Sequence, residues 1–415
     1  MKSRGEKIRT LMLTLIIILI FSLFKVQSSA MIAGAKHGLT TWWEVILPAL
    51  LPFFILSEFM VRLGVIHFGG TLLEPLMRPV FNVPGSGAFA LVMGMTSGAP
   101  VNGTIATRLR NLKMLTSKEG ERLIAFTSNS SLLFMVSAIP VGMLNRPDLG
   151  IIIAGIHYTT NIILGIILGQ LSKYLDKSSQ IKSQRNELAQ PIGLICLFQK
   201  AVKSASEYLE TNYTGIRDMS KEIVYDSMIK VVYIGGYIML FSVIIKLLFE
   251  LAIIEQLYVN LKHIIPTAFR DINLISSFFA GLFETTVGTE MAVESNQELV
   301  HILAVISFIL GWGGFSIHAQ VITVTAEADF SMNTFIATRL IHGFLSGLSV
   351  YVVLIFLPVG QNLITTTALF ERSDIFTLIK LLICYKVALI GLLLLLSILI
   401  LIFKPVINWL LSLIR

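Results

Sequence analysis

The chain has 415 residues, 55% of them hydrophobic and 14% charged, with a formal net charge of +7 and a mean hydropathy of +0.80. So apolar a composition excludes an ordinary soluble domain and marks a polytopic membrane protein. The basic residues lie scattered at the ends of apolar runs, where membrane topology places them, which argues against nucleic acid; the two cysteines, Cys196 and Cys384, make neither a disulfide framework nor a metal site and read as packing residues.

A membrane span takes about 20 mainly apolar residues. That rule predicts eight full spans, near 10–33, 40–63, 121–144, 149–172, 228–250, 298–326, 333–358 and 381–403. The first follows the basic stretch "MKSRGEKIRT" and reads as an uncleaved signal anchor, with Lys2, Arg4, Lys7 and Arg9 cytoplasmic. Two more apolar stretches, 86–112 and 272–295, are interrupted by small and polar residues and are expected to be re-entrant helical hairpins. Trp42, Trp43 and Trp409 stand at span ends as interface anchors.

The order span, broken segment, polar-interrupted span, span occurs once on each side of a polar region rich in lysine. This is an internal repeat, and because each unit crosses the membrane an odd number of times the second is inverted relative to the first. The expected fold is therefore all-α and polytopic, with about eight transmembrane helices plus two re-entrant hairpins in inverted repeats. Its parts are a signal-anchor helix (1–39), a first repeat (40–172), a polar cytoplasmic linker that could hold an interfacial helix (173–227), a second repeat (228–358), and a C-terminal transmembrane helix with an amphipathic tail (359–415). Counting spans puts both termini and the cluster Arg108, Arg110, Lys113, Lys118 and Arg122 in the cytoplasm.

Candidate site residues follow in chain order. In "GMTSGAPVNGT" the breakers Gly94, Gly98, Pro100 and Gly103 reverse the chain, while Thr96, Ser97, Asn102 and Thr104 supply donors and acceptors at the tip. "TSNSS" interrupts the next span with Ser128, Asn129 and Ser130. In the second hairpin, "GLFETTVGTEMA" carries Thr285, Thr286 and the helix-breaking Gly288, together with Glu284 and Glu290 as coupling or proton-linked groups. "GWGGFSIHAQ" interrupts the following span, where Gly313 and Gly314 loosen the helix, Ser316 and Gln320 bind substrate, and His318 is a hydrogen-bonding or proton-linked group. Small polar residues also pack spans together, so the Ser and Thr positions carry that second reading. Arg339 lies early in the next span; it either snorkels to the cytoplasmic surface or serves as partner to an anionic substrate. No metal site, cofactor or catalytic residue is expected, since His318 has no second His or Cys at ligand spacing and no G-x-S-x-G, H-E-x-x-H or phosphate loop occurs.

Across about residues 40–358 the pattern resembles the "Gate", or nucleoside-recognition, membrane domain, similar in architecture to concentrative nucleoside transporters. Within it "MGMTSGAPVNGTIATRL", "AGLFETTVGTEMA" and "GWGGFSIHAQV" resemble the YlbJ (stage V sporulation protein VV) family of sporulation integral membrane proteins. The resemblance implies a non-enzymatic transporter in the outer forespore membrane that moves dipicolinic acid by alternating access. Its implied partners are the dipicolinate anion and the lipid bilayer, with a homo-oligomer and other sporulation membrane proteins left open. Between Gly94 and Thr107 the chain lacks the carboxylate of the nucleoside transporters' first hairpin. Two alternatives stay open: a nucleoside or other small-metabolite transporter of the same fold, and a non-transporting scaffold of a sporulation complex.

Overall fold

The computed structural model describes Thr14 and residues 27–175, 194–213 and 215–356. The expected spans 381–403 and, for the most part, 10–33 lie outside the described residues, as do Cys384 and Trp409. Contacts divide the chain into one compact unit, Met1–Val350, and a second, Tyr351–Arg415, of which the described part is the end of a helix.

No strand occurs among the described residues. The chain is helical from Ser28 to Arg62, through α1 (Ser28–Thr41), one widened π-turn (Trp42–Ile46) and α2 (Leu47–Arg62). After Gly64, whose φ of +75° makes the corner, α3 (Val65–Phe81) turns away from the end of α2 by 77°. Two short helices follow, α4 (Gly87–Thr96) and α5 (Val101–Asn111), and then α6 (Ser117–Thr127). Thr116 and Glu119 start α6 with reciprocal side-chain to backbone bonds. A non-helical break leads to a π-wound segment (Phe134–Met143) and to α7 (Leu149–Leu175).

The polar region beyond α7 contains α8 (Leu194–Asn212), which packs on α3 with Tyr208 stacked over His67. Cys196 is exposed there, so it is a surface thiol where a packing residue was expected. The long α9 (Ile216–Glu250) already begins within the region expected to be linker. It is followed by α10 (Ile253–Leu261), the short pair α11 (Ile272–Phe283) and α12 (Thr285–Glu294), α13 (Leu299–Trp312), α14 (Gly314–Val324) and α15 (Asn333–Phe356).

Among the described residues, four helical stretches are long and apolar enough to cross a membrane: Leu149–Lys173, Ile216–Glu250, Leu299–Val324 and Asn333–Ile355. The bent pair around Gly64 makes a fifth if it is one span. The expected span 121–144 is not one helix, because it stops at Thr127 and resumes as the π-wound segment. At 1.5 Å per residue, the arms of the two broken segments are about 15–18 Å long, roughly half of a bilayer core. The arms pack against each other in both pairs, α4 on α5 and α11 on α12.

α13 has no polar face, and Ile302 to Trp312 is buried throughout, so it is a central helix. Around it the halves interlock. Thr107 of α5 donates to the Val324 carbonyl at 3.1 Å, and the Glu58 carboxylate of α2 accepts from Arg108 of α5 at 3.1 Å and from Lys230 of α9. Trp42 does not merely anchor an interface, since its indole N–H donates to the Val231 carbonyl at 2.9 Å.

α1 packs closely against α9. A Cβ on Gly38 would lie 2.8 Å from the Met239 Cα, whereas one on Gly236, also in α9, would meet nothing within 4 Å. Gly38→Ala should therefore lower stability by about 1–3 kcal/mol through overpacking, and Gly236→Ala should leave it unchanged or raise it by up to about 1 kcal/mol. Thermal unfolding of the two variants in detergent checks this, and equal melting temperatures would contradict the close packing.

Candidate functional site

The first break is made by the chemistry of its own residues. The hydroxyls of Thr127 and Ser128 bond back to the carbonyls of Leu123 and Ile124 at 2.7 and 2.8 Å, and Ser128 turns to an extended backbone that ends α6. The carbonyls so released are buried, and each has a partner. Ala125 O accepts from Arg339 Nη2 at 2.8 Å, Phe126 O from Asn161 Nδ2 at 2.5 Å, Thr127 O from Asn129 Nδ2 at 3.2 Å, and Ser128 O from Arg339 Nη1. Asn129 O accepts from the Ala99 N–H at 2.9 Å, and the Tyr158 hydroxyl, 3.4 Å from Ser130 O, donates to the Met95 carbonyl at 2.5 Å.

The first hairpin tip sits on this break. Gly98 holds the turn at φ +82°, and Asn102 donates to the Thr127 and Ser128 hydroxyls at 3.0 and 2.8 Å. Gly94 and Gly103 are not turn residues: both lie inside helices, and Gly94 lets α4 approach the Thr127 carbonyl, 2.1 Å from where a Cβ would be.

The second tip is built the same way on the second break. Gly313 and Gly314, at φ +87° and +70°, separate α13 from α14. Trp312 donates to the Leu282 carbonyl at 3.0 Å, and a Cβ on Gly314 would lie 3.0 Å from the Phe283 carbonyl. Glu284, 4% exposed, is extended between α11 and α12 and caps α12 by accepting from the Val287 N–H at 2.8 Å. The Thr286 backbone N–H and hydroxyl also approach its carboxylate. Gly288 lies inside α12, where it lets that helix touch α11 at Gly281.

Most of the expected site residues are therefore buried at one of two junctions. Ser97, Asn102, Ser128, Asn129 and Ser130 surround the first, with Ser130 reaching the Leu310 carbonyl of α13 at 3.3 Å. Glu284, Thr285 and Thr286 form the second tip. On α14, Gln320 donates to Ser316 at 3.1 Å, and His318 donates from Nδ1 to the Gly314 carbonyl at 2.7 Å with its ring 4.2 Å from Trp312. Thr96 and Thr104 are spent on carbonyls of their own helices, Val92 and Pro100. Glu290 stands apart, partly exposed and 3.5 Å from His37 of α1.

Arg339 does not snorkel. It is 2% exposed, and its fork is held by Ala125, Ser128 and the Asn161 side-chain oxygen, the last at 2.6 Å. Burial is affordable because those carbonyls are the negative end of α6. Among the described residues it makes no ion pair with a carboxylate. Asn161, Tyr158 and His157 were not expected here. The signal for them was present as "HYTTN", a polar run inside the apolar sequence of α7.

A curated relative, the sporulation integral membrane protein YlbJ of Bacillus subtilis (strain 168), is 34% identical over 357 residues, covering 85% of this chain and 84% of the relative. The chain belongs to the YlbJ family. Residues 43–147 also match the family "Gate", described as nucleoside recognition, a range that takes in the first hairpin and the first break. No solved structure matches the chain. With its long apolar helices, this membership makes the chain an integral membrane protein.

Arg339→Met keeps much of the apolar stem but removes the donors to Ala125, Ser128 and Asn161. It should cost about 3 kcal/mol or more, since several buried acceptors lose a charged partner at once. A melting temperature unchanged from wild type would contradict the assignment of Arg339 as the closure of the first break.

Proposed function

We propose that the chain is a secondary-type transporter of a small organic anion. The carrying observation is the Arg339 guanidinium, buried at the first break with no carboxylate partner among the described residues. A buried cation of this kind is a ready counter-ion for an anion passing between the broken helices. The cargo we assign is dipicolinic acid, moved across the outer forespore membrane during sporulation, from the mother cell toward the spore. The relative's name supports the sporulation setting, and a flat dianion suits a site that offers N–H donors and hydroxyls.

The transport frame in this proposal has eight spans and two re-entrant hairpins in inverted repeats, with both termini cytoplasmic. Two features support it. Each pair of half-length helices meets at a tip that packs on the break of its own half. The end of α5 and the start of α6 also meet the segment before α15, through Arg110 of α5 to Asp329 at 2.7 Å and the Ser331 N–H to Glu121 of α6 at 3.1 Å, which fits a single cytoplasmic end. A nucleoside is the second reading, favoured by the description of the matching family; against it, no carboxylate occurs between Gly94 and Thr107.

Uptake of labelled dipicolinate against uridine, in sealed proteoliposomes with and without a proton gradient, tests this. Saturable dipicolinate uptake is expected, reduced at least about tenfold in Asn129→Ala and Glu284→Ala at equal membrane levels. Uridine uptake would transfer the site to a nucleoside. Uptake of neither would remove both cargo assignments and favour another small metabolite or a scaffold in a sporulation complex.

A further inference from the structure

Three side chains of α7 and α15 fix one another's protons. The Ser130 N–H donates to His157 Nε2 at 3.3 Å, so that nitrogen accepts and the neutral ring carries its proton on Nδ1. Arg339 has no lone pair, so its Nη1 donates to His342 Nδ1 at 3.0 Å. The proton of His342 is then on Nε2, from which it donates to the His157 carbonyl at 2.9 Å. The two imidazole rings lie 4.5 Å apart.

This pattern leaves two N–H groups without a partner among the described residues, His157 Nδ1 and Arg339 Nε. Both residues are buried, at 1% and 2% exposure. An unpaired buried donor is costly, and here two occur in one bonded cluster that also contains a cation. Asn161 explains why Nε is the atom left over. It accepts from Arg339 Nη2 at 2.6 Å while donating to Asn129 Oδ1 at 2.6 Å, which turns the fork toward α6.

We propose that His157 Nδ1–H and Arg339 Nε–H form a carboxylate-binding subsite between α7 and α15, with Asn161 and His342 as positioning residues. The inference rests on the anion-transport reading and adds to it a donor from α7. A carboxylate offers two acceptor oxygens and neutralises the guanidinium, whereas an uncharged sugar or base leaves the buried charge uncompensated. A water molecule bridging the two N–H groups is the competing occupant.

The test is dipicolinate titrated calorimetrically into the full-length protein in nanodiscs, with melting temperatures measured alongside. His157→Gln places an acceptor near the Nε2 position for the Ser130 N–H but has no donor at the Nδ1 position; His157→Asn does the reverse. The Gln variant should melt like wild type and bind at least about tenfold more weakly, while the Asn variant retains most of the affinity. If wild type and the Gln variant bind equally, water is the occupant and the subsite is wrong, with anion transport untouched. If wild type binds no dipicolinate, the cargo assignment and the subsite fall together. Should the Gln variant melt lower, the ¹⁵N resonance of His157 Nδ1 in wild type decides: it shifts on adding dipicolinate if the subsite exists, and an unmoved resonance overturns it.

Discussion

A guanidinium buried against the end of a helix holds this structure together at its centre. Arg339 comes from α15, in the second half of the chain, and closes carbonyls that α6 releases in the first half. Its third partner, Asn161, ties α7 into the same point and also binds Asn129 in the break. One side chain thus joins three helices and stabilises a stretch of unwound backbone that could not face lipid. Without it, the Ala125 and Ser128 carbonyls would be buried acceptors lacking these donors, and the two halves would lose a bond across their interface.

Glu284 answers Arg339 at the other break. The cation lies at a helix C-terminus and the carboxylate at a helix N-terminus, so each buried charge faces the helix end of opposite partial charge. They are not partners of each other, since no ion pair joining them occurs among the described residues. This arrangement lets the chain bury the Arg339 guanidinium and the Glu284 carboxyl group with no salt bridge between them. The same breaks that make room for the charges also bring hydroxyls and amides to the interior, which a continuous apolar span could not do.

Much of this was legible in the sequence as interruption. "TSNSS" and "GWGG" announced that two spans would break, and they do, at Ser128 and Gly313. Gly98 and Glu284 marked the two hairpin tips. What the pattern could not say is which partner each group takes, because hydrogen-bond partners from distant segments leave no periodicity. Gly94 read as a turn residue and proved to be a contact residue. Glu290, only six positions from Glu284, faces α1 and not the tip. Arg339 sits near a span end, where snorkelling is the usual outcome; only the distant carbonyls of α6 explain its burial. The polar run at His157 to Asn161 was visible, but it lies in an otherwise regular span and announced no break.

The central claim is that the two breaks border a polar path through the membrane that an anion enters. Cysteines placed at Ser97 and Thr285, buried hydroxyls at the two tips that have no partner among the described residues, test it most directly in a chain whose Cys196 and Cys384 are replaced by serine. In sealed vesicles, a small charged thiol reagent added from one side should label these positions, and dipicolinate should slow the labelling. Labelling from neither side, with the protein folded, would mean that the breaks are packed structure and border no path.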